Sequence, residues 1–128
     1  MKAHFILYVA DQKLSARFYE RVLGQKPRLD VPGMTEFELN AGGVLGLMPA
    51  AGIKRLLGER LPDPDGAKGV PRAELYLLVD DPGASHRLAL ESGAREMSPL
   101  LPRGWGHEAA YSLDLDGHVL AFARPTTA

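Results

Sequence analysis

The sequence predicts an α+β fold built from two βαβββ modules, and three observations predict it. First, His4-Phe5-Ile6-Leu7-Tyr8-Val9-Ala10-Asp11 returns seventy places later, without a gap, as Glu74-Leu75-Tyr76-Leu77-Leu78-Val79-Asp80-Asp81. Leu7/Leu77, Val9/Val79 and Asp11/Asp81 are identical, and Ser15/Ser85 with Arg17/Arg87 carry the register onward. Two copies at so long a period mean a duplicated half-domain rather than a solenoid. Second, each copy reads as strand, aspartate turn, amphipathic helix and glycine. Third, Gly42-Gly43-Val44-Leu45-Gly46-Leu47 lies over Gly117-His118-Val119-Leu120-Ala121-Phe122 at an offset of seventy-five, so the second copy has gained about five residues before its closing hairpin.

Taken in order, the apolar run ending at Asp11 reads as a strand. Asp11 then suits a helix N-cap, because its carboxylate can accept from the first free backbone amides. Leu14, Phe18, Tyr19, Val22 and Leu23 make a helical stripe, and Gly24 is a left-handed stop. Lys26 to Leu29 lead into a second strand and Val31-Pro32-Gly33 turns the chain. Met34 to Leu39 alternates as a strand with one wet face, and Asn40-Ala41-Gly42-Gly43 turns into a strand over Val44 to Met48. Residues 50–72 change texture, with a short helix around Ile53 to Leu57 and an irregular Pro62-to-Pro71 stretch. This segment is either a solvated linker or a flap whose Lys54, Arg55 and Arg60 meet an anionic ligand. The second module follows as a strand over 74–79 and a helix over 82–92, opened by Asp81 and Pro82 and closed by Gly93. Next come a strand from Ala94 to Ser98, a loop from Pro99 to His107, and a hairpin of 108–113 with 118–123.

With 128 residues and 45% hydrophobic content the chain supports one domain over 1–128. Module one covers about 3–49, the linker about 50–72 and module two about 73–125. No apolar run reaches membrane-spanning length, and the first strand begins too early for a signal peptide, so a cytoplasmic protein is expected. The 15 Lys+Arg against 16 Asp+Glu leave no electrostatic footprint for nucleic acid. Zero cysteines remove disulfides, thiolate catalysis and Cys-ligated zinc. No P-loop, dinucleotide fingerprint or Ser-His-Asp pattern is present.

Strand alternation sorts the faces. If Phe5, Leu7 and Val9 meet the helix, then His4, Ile6 and Tyr8 point the other way, as do Glu74, Tyr76 and Leu78. The expected core is Phe5, Leu7, Val9, Phe18, Val22, Leu75, Leu77, Val79, Leu88, Leu120 and Phe122. The opposite face, lined by His, Glu, two Tyr and aliphatics, reads as a pocket. Its candidate ligand-binding residues are Tyr8, Met48, Glu74, Tyr76, Trp105 and Tyr111. His4 is a metal ligand, a general base or a strand histidine at a cavity edge. Glu74 is a site carboxylate or the partner of Arg72 or Arg103 in a structural ion pair. Trp105 stacks on a flat ligand or packs under its loop. His107 and His118 are expected to be exposed. Asp114, Asp116 and Gly117 form a turn signature rather than a calcium loop.

HFILYVAD with FYERVLG, and WGHEAAYSLDLDGHVLAFA, resemble the vicinal-oxygen-chelate superfamily of glyoxalase I, bleomycin-resistance proteins, fosfomycin-resistance enzymes and extradiol dioxygenases. The second stretch is similar to that family's WG…DPDG hairpin, with Leu115 in place of the usual Pro. The resemblance implies a glyoxalase-like fold of curled, partly open mixed sheets, commonly paired in a homodimer. His4 and Glu74, equivalent by the repeat, would then face each other across a cavity, within a chain or across the dimer. In metal-dependent members the ligands fall at the positions of His4, Gly46, Glu74 and Ala121. Gly46 and Ala121 carry no donor, and His4 with Glu74 falls short of the three protein ligands of a catalytic site.

Three functional classes fit. One is a metal-free protein that binds a small, partly aromatic molecule. Another is a metal-dependent lyase, isomerase or dioxygenase completed by His107, His118 or water. The third is a metal-free enzyme using Glu74 as general base and His4 or a Tyr as acid. The reading favoured is the small-molecule binder, with no cofactor, no catalytic residue assigned beyond the candidates His4 and Glu74, and the metal-dependent enzyme as alternative.

Overall fold

The computed structural model describes residues 1–40 and 42–126. Two compact units are present, Met1–Lys68 and Gly69–Ala128. In the first, β1 (Ala3–Val9), α1 (Gln12–Leu23), β2 (Leu29–Val31), β3 (Met34–Glu38) and β4 (Gly43–Pro49) form a four-stranded sheet in the order β1-β4-β3-β2. In the second, β5 (Glu74–Leu78), α3 (Pro82–Glu91), β6 (Arg95–Pro102), β7 (His107–Leu113) and β8 (Val119–Pro125) repeat that order as β5-β8-β7-β6. Both sheets are mixed and open. Opening and closing strands pair in parallel and the others antiparallel.

The ladders display the duplication directly. His4 pairs with Val44 and Glu74 with Val119, so the seventy-place and seventy-five-place offsets meet in equivalent pairs. Both helices start the same way: Asp11 accepts from the Leu14 amide at 3.0 Å and Asp81 from the Ala84 amide at 3.1 Å. At the end of α1, Gly24 adopts φ 66° and its N–H bonds the Glu20 carbonyl, which only a residue tolerant of the left-handed region does cheaply. The helix α3 instead ends at Glu91 and is capped by Ser92, ahead of the left-handed Gly93.

Three local expectations are corrected. The Ala94-to-Ser98 strand runs on as β6 to Pro102, with register shifts between Glu96 and Ser98 and between Ser98 and Leu101. Each shift leaves one unmatched residue on β6, which an edge strand accommodates and where Pro99 costs no ladder bond. The five residues gained by the second module lie in the connection from Leu101 to Ala109, where the first module goes from Val31 to Met34. The segment after β4 is helical from Ala50 rather than Ile53, giving α2 (Ala50–Leu57). A 3₁₀ turn at Pro64–Ala67 interrupts the supposedly irregular stretch. Lys54 bonds Asp65 at 3.0 Å and Asp63 at 3.2 Å, so this cation ties the segment to α2. The expected turn residue Ala41 lies outside the described residues.

The core confirms the face assignment and corrects its extent. Val9, Phe18, Val22, Leu120 and Phe122 are buried, joined by Tyr19, Phe37, Leu45 and Leu47. Leu7, Leu75, Leu77, Val79 and Leu88 are half-buried, and Phe5 is 63% exposed. The cause is lateral. In the first unit α1 packs over β3 and β4, while α2 covers β1 only near its Val9 end. In the second α3 packs on β6, β7 and β8. Each opening strand is therefore the edge of its sheet and lies beyond its helix. Phe37→Ala is expected to cost about 3–5 kcal/mol, and removal of the Asp11 cap by Asp11→Ala about 1 kcal/mol. Urea denaturation of the two variants checks both values and their order.

Candidate functional site

On the first unit's open face, the face turned away from α1, an alternating chain of charges crosses three strands. Lys2 bonds Glu38 at 2.8 Å, Arg28 bonds Glu38 at 3.0 Å and Glu36 at 2.9 Å, and His4 Nδ1 lies 3.4 Å from the other Glu36 oxygen. The Lys2 hydrogen bond, opposed by burial and reinforced by Arg28, holds the Glu38 carboxyl below the usual carboxylate range. Glu36 is buried, which an ionised carboxylate tolerates only with such partners. Sequence reasoning missed Glu36. The available signal was the alternation of Met34 to Leu39, whose wet side carries both glutamates. Tyr8 and Met48 are ladder partners, both half-buried on this face.

The second unit's open face is aromatic. Tyr76 and Tyr111 flank Ala121 as its two ladder partners. The Trp105 indole N–H donates to the Tyr76 hydroxyl at 3.0 Å, and that hydroxyl lies 2.7 Å from His107 Nδ1. The Tyr76 and His107 rings stack, with centroids 5.8 Å apart. Trp105 itself is 57% exposed, so it does not pack beneath its loop. Short bonds hold that loop: Arg103 N–H to the His107 carbonyl at 2.7 Å, and the Thr126 amide to the Gly106 carbonyl at 2.9 Å. Arg103 also reaches the Ala109 carbonyl, Ser98 Oγ and the Pro99 carbonyl, bracing the bulged strand, and lies 5.0 Å over the Tyr111 ring. Burial, with the nearby Glu74 carboxylate and Tyr76 and against Arg103, pushes the Tyr111 phenol up. Tyr111 is therefore a neutral phenol at physiological pH.

Glu74 is exposed and pairs with neither Arg72 nor Arg103; the ion pairs among the described residues do not include it. His4 belongs to the first unit and Glu74 to the second. His107 and His118, expected to be exposed, are half-buried. His107 is held by Tyr76 and His118 by Asp114. The residues at the metal positions implied by the resemblance do not fit a metal. A Cβ at Gly46 would stand 3.0 Å from Ile6 Cγ1 and 3.2 Å from Met34 Sδ, so a donor side chain there must displace both. Ala121 is fully buried, and His4 Nδ1 already faces Glu36.

Asp114, Asp116 and His118 bring three ligand atoms within 4.8 Å of one another. The turn itself uses them. Asp114 Oδ1 accepts from the amides of Asp116 and His118, each at 2.9 Å, and Oδ2 meets His118 Nδ1 at 3.0 Å. Burial lowers the His118 imidazole, but the Asp114 hydrogen bond and the charges of Asp114 and Asp116 outweigh burial and Arg72, raising it above its ordinary value. A group raised on folding stabilises fully below its unfolded value, and that contribution fades as pH climbs through the folded one. The melting temperature of the protein should therefore fall relative to His118→Gln between about pH 6 and pH 8. Thermal melts across that interval check the sign, and parallel curves would contradict it.

No helix among the described residues is long and apolar enough to cross a membrane. A glyoxalase-related enzyme from Fulvimarina pelagi superposes with a TM-score of 0.81 at 22% identity, covering 97% of this chain and 87% of that one. A glyoxalase/bleomycin resistance protein/dioxygenase family enzyme from Burkholderia phytofirmans PsJN gives 0.82 at 13% identity, covering 96% and 97%. A glyoxalase/bleomycin resistance protein/dioxygenase from Nocardioides gives 0.78 at 18% identity, covering 100% and 85%. At these identities the likeness establishes the fold. No curated protein sequence matches the chain. The family model of the Glyoxalase/Bleomycin resistance protein/Dioxygenase superfamily matches residues 3–122. With nearly its whole length matched, and with the paired βαβββ architecture described above, the chain belongs to that superfamily.

Proposed function

We propose that this protein binds a small, partly aromatic molecule on the open face of its second module, without a metal. The observation that carries the reading is the Trp105–Tyr76–His107 cluster. The indole N–H already has an acceptor in Tyr76, so covering the exposed ring strips no unsatisfied polar group of water. Stacking on such a ring adds about 0.5–1.5 kcal/mol beyond area burial. Tyr111 widens the aromatic floor, and Glu74, free of an ion pair among the described residues, orients the polar end of the ligand. Tyr8 and Met48, ladder partners on the first module, offer a second patch. The metal-free reading is supported by the donor-less Gly46 and Ala121.

A thermal-shift screen of aromatic, thiol-conjugate and glycopeptide compounds, followed by quenching of the single tryptophan, tests the reading. A ligand specific to the native state raises the melting temperature by mass action. Glu74→Ala should weaken the compound found about tenfold, as expected from loss of a charged hydrogen bond. Unchanged affinity would remove Glu74 from the site. Elemental analysis of protein purified without added metal should find no stoichiometric zinc, nickel or iron; one tightly held ion per site would replace the proposal with a metal-dependent lyase, isomerase or dioxygenase.

The proposal includes a homodimer. It is supported by β1 and β5, which are edge strands of their sheets and carry the exposed apolar residues Phe5, Ile6 and Leu78, a combination that favours pairing with another chain. Light scattering at high protein concentration should give twice the chain mass, and a monomer mass would end the idea.

A further inference from the structure

The Trp105–Tyr76–His107 cluster has a direction, and the direction follows from counting hydrogens. Indole Nε1 is a donor only, and a phenol has one hydrogen to give. Trp105 donates to the Tyr76 oxygen at 3.0 Å. The Tyr76 hydrogen then has His107 Nδ1, 2.7 Å away, as the acceptor that the described residues supply. In the reverse arrangement Nδ1–H and Nε1–H would both point at the Tyr76 oxygen, leaving the phenol hydrogen without an acceptor and Nε2 bare. The direction Trp105 to Tyr76 to His107 satisfies every hydrogen inside the cluster. In the neutral ring it places the single His107 hydrogen on Nε2, since the hydrogen bond at one ring nitrogen decides the state of the other. Ring stacking between Tyr76 and His107, 24° from parallel, holds the geometry.

We infer that His107 Nε2–H is the hydrogen-bond donor that the second module's open face presents to its ligand, and that the ligand is an uncharged aromatic carbonyl compound. Three features define that class. The donor calls for an accepting oxygen. The exposed Trp105 ring calls for a flat partner. Glu74 opens β5, Tyr76 lies two residues on along the same face, and the Glu74 charge reaches Tyr111. An unpaired carboxylate there repels an anion, so an amide, lactam or ketone is favoured over a carboxylate. A carboxamide has a further match, because its N–H can donate to Glu74. His107 thereby becomes a specificity-determining residue, while Tyr76 and Trp105 act through it as well as on the ligand. The inference rests on the proposed binding role of this face for its ligand class, whereas the tautomer stands independently.

The experiment has two parts on the intact protein. Long-range proton–nitrogen correlation NMR, at a pH of about 8.5 where an ordinary histidine is neutral, should show His107 with its hydrogen on Nε2. Tyr76→Phe should convert that signal into a mixture of tautomers. A hydrogen on Nδ1 in the unsubstituted protein, or an unchanged Nε2–H signal in Tyr76→Phe, overturns the relay. In the second part benzamide, benzoate and benzylamine are titrated against Trp105 fluorescence. Benzamide should bind about tenfold more tightly than the other two, lose that preference in His107→Phe, and recover part of it in His107→Gln, whose amide restores a donor. Equal binding of benzamide to the unsubstituted protein and to His107→Phe overturns the donor role. Preference for benzoate or benzylamine overturns the ligand class but leaves the aromatic binding face intact, whereas failure of all three to bind sinks the binding reading as well.

Discussion

Parallel pairing of the first and last strands of each module is the constraint on which the rest of the structure depends. A parallel pair needs a long crossover, because a tight hairpin can join only antiparallel neighbours. Here the helix and two further strands supply that crossover. They leave α1 and α3 each on one side of its sheet. Leu45, Leu47 and Phe37 pack beneath α1 and are buried. The residues alternating with them, from Glu36 and His4 in one module to Tyr76 and Tyr111 in the other, lie on the side turned away from α1 and α3. The faces that could bind something are therefore by-products of strand pairing, present before any particular chemistry is placed on them.

The same constraint explains what could and could not be read from residue order. Strand, capped turn and helix were legible because each has a local cause: branched apolar runs, Asp11 and Asp81 as acceptors, and Gly24 at a positive φ. Phe5 was assigned to the core because alternation gives the face of a residue but not its distance from the helix. Its strand is the sheet edge, and lateral position has no period in the sequence. Of the proposed site, Tyr76, Trp105 and Tyr111 are candidates that strand parity and the Gly-flanked loop supply. The partners of His107 and Glu36 are not legible, since other elements bring them in. Tyr76 lies thirty-one positions from His107, and Arg28 reaches Glu36 on β3 from just ahead of β2.

The two open faces differ in electrostatic character despite their common origin. In the first module charge is cancelled locally: Lys2, Arg28, Glu36 and Glu38 form a closed chain with His4 at its end. Such a network fixes β2 and β3 together and leaves little unpaired charge to attract a ligand. In the second module the Arg103 guanidinium is spent on backbone carbonyls and the Tyr111 ring. Glu74 has no ion pair among the described residues, and its charge reaches the neutral Tyr111 phenol. Charged contacts hold the scaffold of one module, and uncharged ones furnish the surface of the other.

The bulged strand β6 shows where a duplicated fold can diverge without harm. It is eight residues long, against three for its counterpart β2, yet Phe37 opposite Leu45 is matched by Ser112 opposite Leu120 at one common offset downstream. The slack has been taken up at the sheet margin, and none of it reaches the inner ladder. Length changes at the margin alter the loop carrying Trp105, because that loop begins where β6 ends. Two copies of one ancestral half can therefore accumulate insertions as changes in what they recognise while the shared frame stays fixed. Asymmetry in ligand preference between the halves is then a geometric outcome of where the sheet has room to grow.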